Sequence, residues 1–383
     1  MQNNLSGAAA LKEGGKTLNS AYIHIPFCKR KCKYCAFTSF QAPHLIDDYI
    51  KKLVLEIKEF YNKKPLETLY IGGGTPSLLD IKHFKKIISM FKFALGAEIT
   101  VEINPESASL SLLAGLYKLG VNRLSIGVQD FDDTVLQNIG RLHTSKSAKD
   151  TIYLAQDIGF ENISIDLIYG LPETDLKHWQ NTLETAISLD IQHISLYGLK
   201  LEEGTEFYRQ YDNKRGGKHL PDDDMQADMY EEAIRHLTHG FEHYEISNFA
   251  TAPEFKSKHN INYWKCGKYY GFGVGAAGYI DNIRYQNTKN FKEYMENPHD
   301  TKELAALDEE QMLEEEIFLG FRLLEGINIA KINEKYEIDF DKKYANILKK
   351  FLSTGHIEKT ENGYKLTIEG ILISNAILSE FLI

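Results

Sequence analysis

Apolar residues along the chain repeat with two spacings, and segments of the two kinds alternate. Short runs rich in apolar residues predict strands, and six of them follow one another, at 21–25, 67–73, 98–104, 122–128, 162–170 and 193–199. Between them, apolar residues recur every three to four positions, most clearly over 44–61 and 176–189, where we predict helices. Strand–helix alternation repeated six times indicates an α/β fold with a parallel sheet, either open or curled into a partial barrel.

The residues with unusual chemistry fall just after the predicted strands. In parallel α/β sheets, reactive groups sit at the carboxyl ends of the strands. The residues found at these ends are Cys28 and those that follow it, Gly72–Thr75, Glu102, Gln129 with Asp130, and Asp166. We therefore expect one functional opening at this edge of the sheet.

The alternation stops at a polar stretch over 212–224, which we take as the edge of the sheet domain. Further on, 327–338 and 342–355 are predicted helices, and 356–370 is a predicted hairpin with Asn362-Gly363 at its turn. Two helices and a hairpin are typical of a winged-helix module. The predicted parts are a disordered tail or cloning remnant (1–20), a core (21–215), an extension of the core (216–305) and a small winged-helix-like α+β domain (306–383).

Composition narrows the class of protein. With 43% hydrophobic and 26% charged residues, the chain is an ordinary globular protein, and its formal charge of -10 repels nucleic acid. We therefore expect a packing role for the winged-helix-like part. No window approaches the roughly 18 apolar residues of a spanning helix, which leaves room only for peripheral membrane contact. The first twenty residues lack the apolar run of a signal peptide, so we expect a cytoplasmic protein whose cysteines stay reduced.

Three of the four cysteines lie in one loop with the spacing C-x3-C-x2-C: Cys28, Cys32 and Cys35. Structural zinc sites usually take four protein ligands, and the remaining cysteine, Cys266, is far along the chain. An iron–sulfur cube with three cysteine ligands leaves one iron open, and basic neighbours offset the thiolate charge. The loop therefore favours a cluster, with a three-ligand zinc site or incidental thiols as the alternatives.

This loop, with Tyr34 just before Cys35 and its place after the first strand, resembles the radical S-adenosylmethionine (SAM) family. The resemblance implies a partial (β/α)6 barrel and a [4Fe-4S] cluster whose open iron binds the amino and carboxylate groups of SAM. The run Gly72-Gly73-Gly74-Thr75-Pro76 matches the glycine motif of that family, with threonine in place of its acidic residue.

Six further segments resemble one branch of the family, which contains the oxygen-independent coproporphyrinogen III dehydrogenases and the HemW-like haem chaperones. They are YIHIPFC, GGGTPS, VEINPES, SIGVQDF, GRLHT and D-x-x-Y-G-L-P-x-T, in this order. The resemblance implies that Tyr22, Gly73 and Glu102 hold the cluster-bound SAM. The residues that match a second SAM site of the dehydrogenase are Tyr34, Gly74, Thr75, Gln129, Arg141 and Asp166.

Two departures separate the branches. The dehydrogenases carry another cysteine two residues after the motif, where this chain has Phe37, and a longer N-terminal arm. In addition, 258–264 (KHNINYW) matches the HNxxYW motif of the HemW-like proteins. A neutral His259 is a candidate haem ligand, with Tyr263 and Trp264 packed against the macrocycle. The alternatives are a hydrogen-bonded core histidine and ligation by Cys266, which otherwise is a small buried side chain.

We therefore predict a HemW-like haem chaperone that holds one [4Fe-4S] cluster, SAM and haem and passes haem to unidentified acceptor proteins. No catalytic residue is assigned, and coproporphyrinogen turnover is not expected. One alternative is the dehydrogenase, in which a SAM-derived radical abstracts hydrogen from propionate side chains. The other is a cluster-bearing regulator that uses the C-terminal module.

Overall fold

A computed structural model of the chain describes residues 18–212, 220–299 and 301–382. Most of the predicted tail (1–17) lies outside these ranges, as do 213–219 of the polar stretch. Ser20 already belongs to the first strand.

One nine-stranded sheet forms the centre of the molecule. Its strands are β1 (Ser20–Ile25), β2 (Leu66–Gly73), β3 (Phe93–Ile103), β4 (Arg123–Gln129), β5 (Ile163–Tyr169), β6 (His193–Gly198), β7 (Glu242–Glu245), β8 (Asn248–Ala250) and β9 (Tyr270–Phe272). The order across the sheet is β7-β8-β6-β5-β4-β3-β2-β1-β9. Neighbours from β6 to β9 pair in parallel, whereas β8 pairs antiparallel with β6 and β7. Among the described strands β7 and β9 are the two end strands of the sheet, and the predicted α/β fold is confirmed.

Helices connect the parallel strands, and the longer ones bury an apolar stripe in the core. Those of the core are Ile46–Phe60, Ile81–Ile88, Leu110–Lys118, Asp133–Asn138, Ser145–Ile158, Leu176–Ile187, Glu206–Tyr211, Asp223–Leu237, Lys258–Trp264 and Phe291–Glu296. The first of them buries Tyr49, Leu53 and Ile57 at the three-to-four-residue spacing that predicted it. Side chains of Ser109 and Asp175 cap two later helices at their amino termini.

The two faces of the sheet differ in chemistry. Side chains of a strand alternate between faces, and on one face Ile71, Leu124 and Ile165 are fully buried in the apolar core. The opposite face, here called the polar face, carries hydroxyl, carboxyl, imidazole and guanidinium groups. Its members on the six parallel strands include Tyr22, Thr68, Tyr70, Glu102, Arg123, Ser125, Asp166 and His193. Parallel sheets are normally apolar on both faces, so the polar face is the side on which to look for function.

Outside the main sheet, the described residues form two small sheets and, after residue 306, six helices. One sheet consists of β10 (Ala277–Ile280), β11 (Ile283–Asn287) and β12 (Thr301–Ala306). The other consists of β13 (Ile327–Asn328), β14 (Ile357–Lys359) and β15 (Gly363–Leu366). The helices are Glu309–Gly320, Ile329–Tyr336, Phe340–Lys343, Ala345–Ser353, Ile368–Leu372 and Ser374–Ser379.

The predicted C-terminal helices and hairpin are present with changed boundaries. Residues 327 and 328 form β13 instead of the first helical turn, because they pair with β15. The second predicted helix is divided at Tyr344. The hairpin β14–β15 forms as expected, closed by a hydrogen bond from Thr360 N to Gly363 O at 2.9 Å.

The C-terminal part docks on the edge of the main sheet. The backbone of Arg322 and Leu324 exchanges hydrogen bonds with Ile246 and Tyr244 beside β7, at 3.0 and 3.1 Å. The main sheet also takes β7, β8 and β9 from the segment interpreted as an extension, so the proposed domain boundaries stay predictions. None of the helices in the described ranges combines the length and apolarity needed to cross a bilayer.

Candidate functional site

The cysteine loop follows β1 and is held by contacts from both of its sides. Cys28 N donates to Phe40 O at 3.1 Å, and Lys33 N donates to Ile139 O at 3.1 Å. The Arg30 guanidinium donates to the carbonyl oxygens of Gly140 and Arg141. All three cysteines are free thiols. The loop is therefore pinned to the segment after helix Asp133–Asn138, which carries Arg141.

A cavity of about 420 Å3, here called the cysteine cavity, lies at the carboxyl ends of the parallel strands. Its walls bring together Cys28, Cys32, Cys35, Tyr34, Gly73, Gly74, Thr75, Glu102, Gln129, Arg141 and Asp166. Of the residues predicted for the cluster and SAM, Tyr22 is the one outside this wall. Its hydroxyl lies 3.0 Å from His24 Nδ1, and its ring lies 6.1 Å from that of Tyr70, which does line the cavity. Segments far apart in the chain thus form one opening.

The glycine run permits a close approach between the loop and the polar face. A methyl group added at Gly74 would stand 2.9 Å from Cys28 Sγ, and one added at Gly72 would stand 2.7 Å from Glu102 Oε1. Gly73 has φ +120°, a conformation that side chains disfavour. The close packing and the backbone conformation therefore require glycine at these three positions, independently of any ligand.

Two buried carboxyl groups form the inner end of the cysteine cavity. Glu102 accepts hydrogen bonds from Gly73 N and Tyr70 OH, both at 3.0 Å, and burial with the nearby Asp166 charge raises its pKa to about 7. Burial also raises the pKa of Asp166, and Ser195 and Arg123 oppose the rise. Two carboxyl groups held this way favour a cationic group, because its charge compensates their desolvation.

Arg141 connects the cysteine loop with the strand ends. Its Nη2 donates to Asn104 Oδ1 at 2.9 Å and to Gly127 O at 2.7 Å, and its Nη1 lies 3.8 Å from Cys32 Sγ. Gln129 follows a bulge in β4 and has φ +69°. Bulges re-aim side chains at functional edges, and this one accompanies the placement of Gln129 on the cavity wall.

The thiols suit a positively charged inorganic group. Burial raises the pKa of the Cys28 and Cys35 thiols, so bare thiolates are disfavoured there without a compensating cation. No three histidine, cysteine or acidic side chains of the described residues converge on a point as a single ion would need. A cube takes one thiolate at each of three irons and does not require such convergence. The donor set therefore fits a cluster.

The HNxxYW segment forms helix Lys258–Trp264 at a different place on the sheet. His259 is 1% exposed, its Nδ1 lies 2.8 Å from Thr68 Oγ1, and its Nε2 lies 2.7 Å from Tyr263 OH. Burial lowers its pKa to about 3, with the Arg123 charge adding to the effect. Both ring nitrogens are engaged, which matches the core-histidine alternative. A haem iron would have to displace Thr68 or Tyr263.

Tyr263 and Trp264 line a second cavity of about 670 Å3, and His259 is not part of its wall. This second cavity lies between helices Lys258–Trp264 and Glu309–Gly320 and the strand β11. Cys266 does not line it, and burial raises the pKa of that thiol to about 12. A partly buried, protonated thiol is compatible with the small-hydrophobe alternative for Cys266.

Several cavity residues escaped the sequence reasoning. Tyr70, Asn104, Ser125 and Tyr197 all line the cysteine cavity, and Asn104 donates to Thr75 Oγ1 at 2.9 Å while accepting from Arg141. The sequence pattern that could have identified them is a polar residue at every second position of an otherwise apolar strand. The motifs drew attention to the strand ends instead.

Comparison with known proteins identifies the family. The profile of the radical SAM superfamily matches residues 22–186, and that of the HemN C-terminal domain matches 307–373. The heme chaperone HemW of Bacillus subtilis is 39% identical over 379 residues, covering 95% of this chain and 99% of that protein. The chain belongs to the HemW family of radical SAM proteins. Heme chaperone HemW of Lactococcus lactis is 37% identical, with 95% of this chain and 97% of that protein covered.

The fold of this HemW family member is also that of a solved radical SAM enzyme. Coproporphyrinogen III oxidase (HemN) from Escherichia coli superimposes with a TM-score of 0.85, covering 100% of this chain and 94% of that chain. The identity is 24%, so the similarity concerns the fold alone. The predicted family and the radical SAM fold with a C-terminal domain are confirmed.

Proposed function

We propose that this protein is a haem chaperone that binds haem and a SAM-coordinated [4Fe-4S] cluster and passes haem to acceptor proteins. The observation that carries the proposal is the 39% identity, over nearly the whole of both chains, to a protein named heme chaperone HemW. The chemistry of the two cavities supports it. The acceptors are proteins that require haem, and their identity is open.

The cluster is assigned to Cys28, Cys32 and Cys35. They share one cavity with two buried carboxyl groups, and basic residues surround the loop. When bound, the cluster offers one open iron to a ligand. The thiols hold the other three irons, and Arg141 near Cys32 Sγ offsets thiolate charge.

SAM is assigned to the same cavity. Its ammonium and sulfonium groups are cationic, and the buried pair Glu102 and Asp166 favours positive charge. Gly73 lets the backbone approach a ligand, and Tyr22 packs against Tyr70, whose hydroxyl donates to Glu102. The other predicted SAM residues wall the same opening, so we assign them to this one site: Tyr34, Gly74, Thr75, Gln129, Arg141 and Asp166.

Haem is assigned to the second cavity. Its volume of about 670 Å3 lies within the range of about 300–1,000 Å3 found for small-molecule sites. Tyr263 and Trp264 supply flat faces for a macrocycle. His259 supports Tyr263 from behind through their hydrogen bond and does not reach the cavity wall. Haem and SAM thus occupy separate cavities.

Coproporphyrinogen oxidation is the function to be tested against this proposal. Phe37, which stands where the dehydrogenases have a further cysteine, lies on the wall of the cysteine cavity and is 68% exposed. Anaerobically reconstituted protein should bind ferric haem in an optical titration and should leave coproporphyrinogen III unchanged with SAM and a low-potential reductant present. Turnover on the order of 1 per second would overturn the proposal in favour of the enzyme.

A further inference from the structure

The second cavity needs an iron ligand if it holds haem, and the candidates in its wall are few. Among the described residues that line it there is no histidine, cysteine or methionine. The possible donors are oxygen atoms of tyrosine, glutamine and glutamate side chains. Haem iron accepts tyrosine as an axial ligand in some proteins. The wall residues that carry such atoms are Tyr263, Tyr269, Gln311 and two glutamates of helix Glu309–Gly320.

Most of these oxygen donors are already engaged. Tyr263 OH is paired with His259 Nε2 at 2.7 Å. Gln311 Oε1 accepts from Asp308 N in the cap of its own helix. Glu315 binds the Arg284 guanidinium through both carboxylate oxygens, at 3.1 Å from Nε to Oε1 and 2.6 Å from Nη2 to Oε2. These groups have structural partners that iron would have to displace.

The contacts of Tyr269 favour it as the residue that binds the haem iron. Its hydroxyl oxygen accepts from Arg284 Nη1 at 3.3 Å, and Glu315 holds Arg284 from its other side. A neighbouring guanidinium stabilises a phenolate, the form that binds ferric iron. Burial raises the pKa of Tyr269 and the Arg284 charge opposes that rise. Tyr269 also packs edge-on against Tyr263, with ring centroids 4.5 Å apart.

A second observation concerns the Trp264 indole, which offers a flat aromatic face at the cavity wall. Trp264 Nε1 is buried and has no hydrogen-bond partner among the described residues, although the indole lines the cavity. Its ring is held by Arg322, whose guanidinium carbon lies 4.2 Å from the ring centroid. A porphyrin is a planar ligand that can stack on such a face.

We propose that Tyr269, backed by Arg284, is the axial ligand of a ferric haem in the second cavity. The inference rests on the proposed haem binding and adds the ligand to it. With haem bound, the Tyr269 phenol O–H bond would be replaced by an Fe–O bond, and the proton would pass to bulk water. The iron stays ferric, so no electron is transferred.

The test is a titration of the full chain with ferric protoporphyrin IX, followed by optical, electron paramagnetic resonance and resonance Raman spectra. Wild type should show the vibrations of an iron-bound phenolate. Tyr269→Phe should lose them and bind about tenfold more weakly or worse. Tyr269→His should regain affinity with the spectrum of a histidine-ligated haem.

Tyr279→Phe is the matched control. The Tyr279 ring stacks on the same guanidinium, with the Arg284 carbon 4.0 Å from its centroid, but Tyr279 does not line the cavity. Its haem spectrum and affinity should equal those of wild type. If wild type lacks phenolate vibrations, or if folded Tyr269→Phe keeps the wild-type spectrum, the ligand assignment is overturned while haem binding stands. If wild type binds no haem, the proposed function fails.

Discussion

Nε2 of His259 lies 2.7 Å from the hydroxyl oxygen of Tyr263, one turn further along the same helix. The other ring nitrogen meets Thr68 on β2 at 2.8 Å. The imidazole therefore joins the polar face of the main sheet to a wall residue of the second cavity. In this arrangement both ring nitrogens of His259, which the motif indicated as a haem ligand, are hydrogen-bonded to protein side chains.

Replacing His259 should destabilise the protein and leave the haem spectrum unaltered. In His259→Ala, the hydroxyls of Thr68 and Tyr263 lose a buried partner, so we expect the free energy of unfolding to fall by about 2 kcal/mol or more. Urea unfolding measures the loss, and His44→Ala, at an exposed position, is the control. A shifted Soret band in a folded His259→Ala protein would contradict the supporting role.

The same residue should make the protein less stable in acid. Its folded pKa of about 3 lies below the ordinary value of 6.5, so between these values the unfolded chain binds a proton that the folded chain excludes. Stability should therefore fall as pH falls through this window, by up to about 1.4 kcal/mol per pH unit from this group. Comparing unfolding free energies of wild type and His259→Gln from pH 7 to 4 isolates the contribution. Equal slopes would refute it.

Cluster assembly should depend on the three loop cysteines and not on the fourth. Reconstituted wild type should hold about four irons per chain, and SAM should perturb its electron paramagnetic resonance spectrum. Cys32→Ser should lose the signal, whereas Cys266→Ser should keep it because that thiol lies outside the cysteine cavity. If a variant that lacks all three loop cysteines still holds about four irons per chain, the cluster assignment is wrong.

Affinity for the SAM amino group should rise as Glu102 ionises. With a folded pKa of about 7, its carboxyl is mostly neutral at pH 6 and attracts an ammonium group more strongly at pH 7.5. Calorimetric titration with S-adenosylhomocysteine, which keeps the amino group, should show tighter binding at the higher pH. Glu102→Gln should bind weakly at both values. Glu202→Gln, at a wall carboxylate with a 44% exposed side chain, should retain the wild-type pattern.

Trp264 should contribute a stacking face for haem. Trp264→Ala should weaken haem binding by about 1 to 1.4 kcal/mol, which is roughly five- to tenfold in the dissociation constant. Tyr117→Ala removes an aromatic ring that is 47% exposed and far from the cavity walls, and it serves as the control. If Trp264→Ala binds haem with an unchanged dissociation constant, haem does not bind in the second cavity.

Local patterns in the chain were sufficient to predict the six parallel strands and to draw attention to the cysteine loop. Short runs rich in apolar residues predicted these strands to within a few residues, because strands in the middle of a parallel sheet are covered on both faces. The helix predicted over 44–61 is Ile46–Phe60, because its apolar residues recur every three to four positions. Cys28, Cys32 and Cys35 lie within eight residues, so their proximity needed no fold. The carboxyl-end rule then placed Glu102 and Asp166 in the same opening.

Tertiary packing decided what lies beyond those patterns. The Glu98 carboxylate on β3 accepts a hydrogen bond from the backbone N of His259 and so fixes the start of the HNxxYW helix. The sequence alone does not predict this contact. In the folded protein both ring nitrogens of His259 are hydrogen-bonded to other side chains, and the motif does not predict these partners. The second cavity likewise joins Tyr269, Arg284 and Glu315 from three separate elements. Such pairs are chosen by long-range packing, in which each buried polar group must find a partner, and that requirement is met only once the chain has folded.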